Sequence, residues 1–488
     1  MNVLAWIPPG IKKRESVFLL SLIVVLGFGL RIYGLEFPCF WYDELATHYR
    51  VDGDLSHTFN TLEQSPFPPL YYILMSIWGR IFGLSESALR FPSMLFSTIS
   101  IIAIYYLART MFGEKEGLIS ALLLSVSSYA LNYSHEAKMY AMIWFFMILS
   151  MIYFFLYIKT LQKKHLVHYC IYSIVTIYTL YLGFIFLLAH NILFFWFCRK
   201  RVKIWVVANT FILLAYIPWW SLAITNMSNK TGIGWITETG YGEFFKKLFD
   251  TISGIRIGDM FYGEFWVLFF LMVFAVVFSI YAVIKKKPCH RNHNYAILLS
   301  WPVLSLIFFI IIDQTITPIL TIRYLGFLHI PLILLFAVGI TAFDHLRLRW
   351  TGNLLLIVIV TTALYFHVLP FHQSGLKVHR EYWSELILQI CRQADNNSII
   401  LTNRGQRALK YYGKCFSGDV VTMSISKITE TFIKEKLMHK KNYRTIFILY
   451  RGDKYHNDSW KSKWFMDHQG TIIKKDGLGL IRLDFNHQ

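Results

Sequence analysis

The chain has 488 residues, 55% hydrophobic and 17% aromatic but only 16% charged, and its mean hydropathy is +0.45. A soluble protein carries roughly a quarter charged residues, so a soluble globular fold is excluded and a polytopic α-helical membrane protein is indicated. The net charge of +19 does not point to nucleic acid, because Lys and Arg cluster between apolar runs as the positive-inside rule requires.

The first apolar run has no small-residue cleavage site and further runs follow it, so it reads as an uncleaved span. Uncharged runs long enough to cross a bilayer, about 17 to 25 residues, lie near 16–34, 91–108, 117–134, 139–158, 204–222, 265–284, 294–312, 324–343 and 351–371. Residues 165–198 form a 34-residue stretch without formal charge, which predicts two short helices around Gly183. If every basic cluster, from Lys12-Lys13-Arg14 to Arg347 with Arg349, is cytoplasmic, each interval between them holds an even number of crossings. The interval 14–109 has one run too many. Pro69–Gly83 is short and contains Arg80, so it is expected to lie along the interface as an amphipathic helix. The expectation is about 11 spans in a plasma (inner) membrane, with a cytoplasmic N-terminus and an extracytoplasmic C-terminal domain. Residues 1–371 then form the transmembrane module, with 35–90 as its first outer loop, and 372–488 form a separate domain.

That last segment loses the long apolar runs. Ser398–Thr402 and Thr445–Tyr450 read as short buried strands. Gln406–Tyr412, Ile428–His439 and Ser459–His468 read as helices, and Thr471–Lys474 with Leu478–Leu483 as a closing pair. This is a small α/β domain.

Several groups of residues can carry chemistry. Asp43-Glu44 follows Phe40-Trp41-Tyr42 in the first outer loop, with His48 close by. Adjacent carboxylates at a membrane surface are costly to desolvate. They can serve as a general base on a hydroxyl or hold a divalent metal beside phosphate. The plainer reading is a solvated pair of loop acids. Next comes Tyr133-Ser134-His135-Glu136-Ala137-Lys138-Met139-Tyr140, a short outer turn. It marks the interface, or it sets Glu136 opposite Asp43 with Lys138 ready for an anion. In Thr321-Ile322-Arg323-Tyr324, Arg323 either snorkels to headgroups or forks onto a phosphate. Pro66-Phe67-Pro68-Pro69-Leu70-Tyr71-Tyr72 is an interfacial anchor or a gate over a lipid headgroup. Arg380-Glu381-Tyr382-Trp383 reads mainly as a helix cap with a packing Trp. The six cysteines show no CxxC spacing and no zinc-ligand pattern. Cys391 and Cys415 are either disulfide-bonded, which an outer compartment permits, or two free buried thiols. No P-loop and no Gly-rich dinucleotide fingerprint is present, so a nucleotide-activated donor is not indicated.

The order of these pieces resembles the GT-C superfamily of polyprenyl-phosphate-sugar glycosyltransferases. Within it, the chain is similar to glycosyltransferase family 39, which includes protein O-mannosyltransferases and the aminoarabinose transferase acting on lipid A. The resemblance is carried by Tyr42-Asp43-Glu44, Pro68-Pro69-Leu70-Tyr71-Tyr72, Ser85–Ser93, Ala108–Gly113, Ser134–Tyr140 and Arg323-Tyr324. It is dense over 31–142 and thin afterwards. It implies an integral membrane enzyme that moves a sugar from a polyprenyl-phosphate carrier to a protein or glycolipid acceptor at the outer face, by an inverting single displacement. By position, Asp43 matches the catalytic acid, Glu44 completes the pair, Glu136 matches the second acidic position, and Arg323, with Lys138 and Tyr324, is placed at the donor phosphate. His48, His135, Tyr71 and Tyr72 are expected to support them, and Asp43 with Glu136 is the candidate metal pair. Phe67 stands where His or Lys is common, and Lys138 where Arg is commoner. The rival classes are a transporter or lipid flippase, which predicts charges buried at mid-membrane and broken helices, and a non-catalytic envelope scaffold.

Overall fold

A computed structural model describes residues 13–37, 39–63, 65, 67–228, 292–345, 349–374, 382–424, 428, 430–438, 443–451, 469–475 and 478–484, with isolated positions at 236, 242, 244, 247 and 277. The chain divides into two compact units. One is Met1–Leu35 with Arg50–Pro370, and the other is Glu36–Tyr49 with Phe371–Gln488.

The first unit is helical. Its elements begin with α1 (Lys13–Ile32) and, after α2 (Tyr42–Val51) has carried the chain in from the second unit, continue with α3 (Leu55–Leu62), α4 (Leu70–Phe82) and α5 (Glu86–Met111). Then come α6 (Glu114–Val126), α7 (Ser128–Ser134), α8 (Tyr140–Thr160), α9 (Lys163–Thr179), α10 (Leu182–Phe197), α11 (Val202–Leu214) and α12 (Ile217–Ser228). Beyond the undescribed stretch lie α13 (Asn292–Thr315), a 3-10 turn (Tyr324–Leu328), α14 (His329–His345) and α15 (Arg349–Ser374).

Among the described residues, five helices are each long and apolar enough to cross a membrane: Arg14–Ile32, Glu86–Met111, Tyr140–Thr160, His293–Thr315 and Tyr324–Phe343. A sixth is the pair α11 and α12, bent by 63°, where Pro218 at the second residue of α12 removes a backbone donor. The expected single run 117–134 is instead two helices. Ser127 leaves helical geometry (φ −62°, ψ 116°) and its hydroxyl accepts from Ala130 N, so it caps α7. The break in 165–198 falls at Leu180-Tyr181, just before Gly183. A Cβ on Gly183 would lie 3.0 Å from Ile177 N, so glycine permits the tight return of α10 onto α9. The expected outer loop 35–90 is largely helical. In it, the 13-residue α4 reaches about 20 Å, short of a hydrocarbon core of roughly 30 Å. The run 265–284 lies outside the described residues.

One buried side chain ties this unit together. Arg31 is fully buried at the end of α1. Its guanidinium donates to Ser97 Oγ (2.8 Å) on α5, to Gly27 O (3.0 Å), and to Ser125 O (2.9 Å) and Leu124 O (3.0 Å) at the end of α6. The last carbonyls of a helix lack intrahelical donors. The break at Ser127 creates such carbonyls in an apolar interior, and Arg31 satisfies two of them.

The second unit contains α16 (Trp383–Gln393) and a five-stranded sheet, β1 (Ser398–Thr402), β2 (Asp419–Thr422), β3 (Thr445–Arg451), β4 (Gln469–Lys475) and β5 (Leu478–Asp484), in the order β2-β1-β3-β5-β4. Strand β1 runs parallel to β2 and β3, while β5 is antiparallel to β3 and β4. Helix α17 (Gln406–Tyr412) joins β1 to β2. A helical turn, Glu430–Phe432, followed by π-helix over Ile433–Met438 precedes β3. Ile399, Leu401, Ile446 and Ile448 face Ile428, Ile433 and Leu437 in one core. The expected helix Ser459–His468 lies outside the described residues, as do Arg380 and Glu381. Trp383 is fully buried, as the packing reading expects. Cys391 and Cys415 are disulfide-bonded, with Cα atoms 5.7 Å apart.

Replacing Arg31 with Ala leaves helix-end carbonyls unsatisfied in an apolar interior. The expected loss is roughly 2–4 kcal/mol, read as a lowered unfolding midpoint of the detergent-solubilised protein. An unchanged midpoint contradicts the clamp.

Candidate active site

The two acids of the first outer loop have different environments. Tyr42, Asp43 and Glu44 open α2, where carboxylates favour the positive end of the helix. Glu44 is fully buried, and its Oε2 accepts from Trp41 N at 3.4 Å, a long contact. This is the reach-back half of a capping box, with Trp41 as the residue before the helix and Glu44 three positions on. Asp43 is half-buried. Of the pair, Glu44 is the one built into the helix start, while Asp43 is less deeply buried. His48 packs edge-on against Tyr411, with ring centroids 4.6 Å apart.

In the first unit, the turn between α7 and α8 carries the other expected residues. His135 Nε2 bonds the carbonyl of Arg31 at 2.6 Å. A carbonyl only accepts, so Nε2 carries the proton. Ser93 Oγ donates to Lys138 O (3.0 Å) and Lys138 N to Glu136 O (2.7 Å), which fixes the backbone of Lys138 through both its carbonyl and its amide. Glu136 is half-buried. The Lys138 ammonium is buried, 5.5 Å from the Phe67 ring centroid and 5.9 Å from that of Tyr72. Arg50 lies 5.2 Å from the same Tyr72 ring. Two cations therefore share one aromatic ring, an arrangement worth more when desolvated. The Tyr72 hydroxyl is buried and has no hydrogen-bond partner among the described residues.

Arg323 and Tyr324 reach the same turn through their neighbours. Tyr129 OH donates to Ile322 O (2.7 Å), and the Tyr140 and Tyr324 rings lie 6.4 Å apart. A Cβ on Gly326 would lie 2.5 Å from the Trp144 ring, so glycine lets this 3-10 turn press onto α8. Asp313, buried, accepts from Ile319 N (2.6 Å) and Leu320 N (2.8 Å) and folds the preceding loop back on itself.

Sequence reasoning missed a cavity of about 410 Å³, lined almost wholly by apolar side chains and walled by Phe67, Tyr181, Leu187, Trp220, Ile312 and Tyr324 among others. Asn226 also lines it and donates to Ser65 O at 2.8 Å, tying α12 to the segment before α4. Phe67 thus belongs both to the cavity wall and to the Lys138 contact. Among the described residues, no group of three or more His, Cys, Asp or Glu converges as a metal-ligand set. Tyr71 is fully buried beside Tyr72.

Residues 67–222 match the family described as dolichyl-phosphate-mannose-protein mannosyltransferase. Over nearly its whole length the chain superposes on ArnT from Cupriavidus metallidurans bound to undecaprenyl phosphate, with TM-score 0.58 and 10% identity, covering 97% of this chain and 98% of that one. This chain has the GT-C fold. The AglB oligosaccharyltransferase of Archaeoglobus fulgidus, in complex with an inhibitory peptide and a dolichol-phosphate, gives TM-score 0.55 at 14% identity, over 89% of this chain and 69% of its own. An uncharacterized protein of Aquifex aeolicus (strain VF5) is 26% identical over 301 residues, 55% of this chain and 60% of that relative's length.

Glu44→Gln keeps an acceptor for the Trp41 N–H and is expected to leave the unfolding midpoint unchanged. Glu44→Ala removes the cap and is expected to cost about 1 kcal/mol, seen as faster hydrogen exchange in the first turn of α2. Equal exchange in both variants contradicts the capping role.

Proposed function

We propose that the protein is an integral membrane glycosyltransferase that moves a sugar from a polyprenyl phosphate to an acceptor hydroxyl at the outer face of the membrane. The observation that carries this is an apolar cavity whose Phe67 wall is in contact with a buried, cation-rich aromatic rim. A lipid phosphate needs both parts, an apolar slot for the isoprenoid chain and positive charge for the head. The Tyr72 hydroxyl, without a hydrogen-bond partner among the described residues, is a ready donor to a phosphate oxygen.

In this reading Asp43 removes the proton of the acceptor hydroxyl. The acceptor oxygen attacks the anomeric carbon, the bond from that carbon to the phosphate oxygen breaks, and its electron pair leaves with the phosphate. One displacement inverts the carbon. Lys138, Arg50 and Arg323 stabilise the charge on the leaving phosphate. Glu136, on the turn that holds Lys138, faces the acceptor or a divalent metal. The solved relatives named above include complexes with undecaprenyl phosphate and with dolichol-phosphate plus a peptide, which supports a lipid-phosphate donor. The match to a mannosyltransferase family supports a hexose as the group transferred, with a protein or glycolipid as acceptor.

Losing a general base typically costs 10²–10⁴-fold in rate. Asp43→Asn is therefore expected to lower kcat by that factor in folded protein, while Glu44→Gln loses far less. Wild-type turnover by Asp43→Asn removes Asp43 from the mechanism. Arg323→Ala is expected to raise donor KM and lower kcat together, and a change confined to acceptor KM moves Arg323 to the acceptor side.

A further inference from the structure

The sheet of the α/β unit reverses its direction of winding at β1. From β1 the chain goes to one side, through α17, to β2, and then returns past β1 to reach β3 on the other side. In open parallel sheets such a reversal leaves a crevice beyond the carboxyl ends of the two central strands, and ligands bind there. Here those ends are Thr402 and Arg451. Asn403 Nδ2 donates to Arg451 O (3.0 Å) and Arg451 N to Asn403 Oδ1 (3.0 Å), which locks the two ends together. Helix α17 starts at once. Gly405 N donates to Thr402 Oγ1 (2.8 Å), and a Cβ on Gly405 would lie 2.6 Å from that oxygen.

The chain's own segment Glu36–Tyr49, part of the same compact unit, sits at this end of the sheet. The Arg451 guanidinium carbon lies 4.6 Å from the Tyr42 ring centroid. That of Arg407 lies 5.8 Å from Tyr42 and 5.2 Å from Tyr49. The Tyr411 ring packs against Phe40 (5.3 Å) and His48 (4.6 Å), and the Tyr412 hydroxyl accepts from Phe40 N at 2.7 Å. The residues held this way bracket Asp43-Glu44 on both sides, Phe40 and Tyr42 before it and His48 and Tyr49 after it. The disulfide ties α16 to Cys415, three residues beyond Tyr412, so α17 is anchored covalently as well.

We infer that this crevice serves as a cradle for α2, and that Arg407, Tyr411, Tyr412 and Arg451 are positioning residues for Asp43. The inference rests on the reading of Asp43 as the base. The α/β unit then acts on the rate of transfer through the aim of one carboxylate, and its contribution is independent of donor affinity.

The test uses the full-length purified protein and compares wild type, Arg451→Ala with Tyr411→Ala, Arg451→Lys and Asp43→Asn. The Asn403 bonds to residue 451 are made by backbone atoms, so strand pairing survives these changes. A misplacement of about 1 Å costs on the order of 100-fold. The double variant is expected to lose roughly 10- to 100-fold in kcat with donor KM unchanged. Hydrogen exchange is expected to quicken in α2 while β1 and β3 stay protected. Arg451→Lys, which keeps a cation over Tyr42, recovers most of the rate. A folded double variant with wild-type kcat and unchanged exchange in α2 overturns the cradle, and so does an effect on KM alone, which makes the crevice a ligand site. Activity in Asp43→Asn defeats the base assignment separately, because the exchange measurement still reports whether the crevice holds α2.

Discussion

The helical unit depends on how a break in a buried helix is satisfied. An apolar interior offers no water to a freed carbonyl, so every interruption must find a donor from protein. At the α6–α7 break that donor is Arg31, whose guanidinium bonds carbonyls of α6 and a hydroxyl of α5 while its own carbonyl accepts a hydrogen bond from His135 Nε2. The same residue therefore closes a gap in the bundle and fixes one side of the turn that carries Glu136 and Lys138. A charge buried for structure supports the turn to which the proposed mechanism assigns Glu136 and Lys138.

The second unit follows a different logic. Its sheet is a small doubly wound one, with a strand-end crevice of the kind that receives cofactors in larger folds. Aromatic and cationic side chains around that crevice engage Phe40, Tyr42, His48 and Tyr49. Glu44 is buried and caps its helix, and Asp43 beside it is half-buried. The two adjacent acids thus differ: one builds the helix, and the other is the base in the proposed mechanism.

Much of this was legible in the sequence, and the parts that were not share a cause. Uncharged runs marked the long helices because transfer cost acts over whole segments. Strands β1 and β3 and helix α17 stood out as short runs of buried β-branched residues and a polar-faced helix between turn signals. The Ser127 break stayed hidden, since serine is tolerated within apolar helices and its capping role depends on the non-helical backbone it adopts. Strand β2 was missed because it is a short, mostly exposed edge strand with no core pattern. Asp43-Glu44, Lys138 and Arg323 were visible as charges out of place. The cavity was not, being made of ordinary apolar residues from helices far apart in the chain. The packing of residues 36–49 on the tail was invisible for the same reason, since Tyr411 and Phe40 are separated by most of the sequence.

In the proposed function the cavity and its cationic rim together hold a lipid phosphate. The most direct measurement is binding of a polyprenyl phosphate to the purified, detergent-solubilised protein, followed by native mass spectrometry. Saturable binding is expected, weakened at least about tenfold, or 1.4 kcal/mol, both by Lys138→Gln at the rim and by Leu188→Trp, which fills the cavity. Absence of polyprenyl-phosphate binding, or binding that neither substitution affects, contradicts the account.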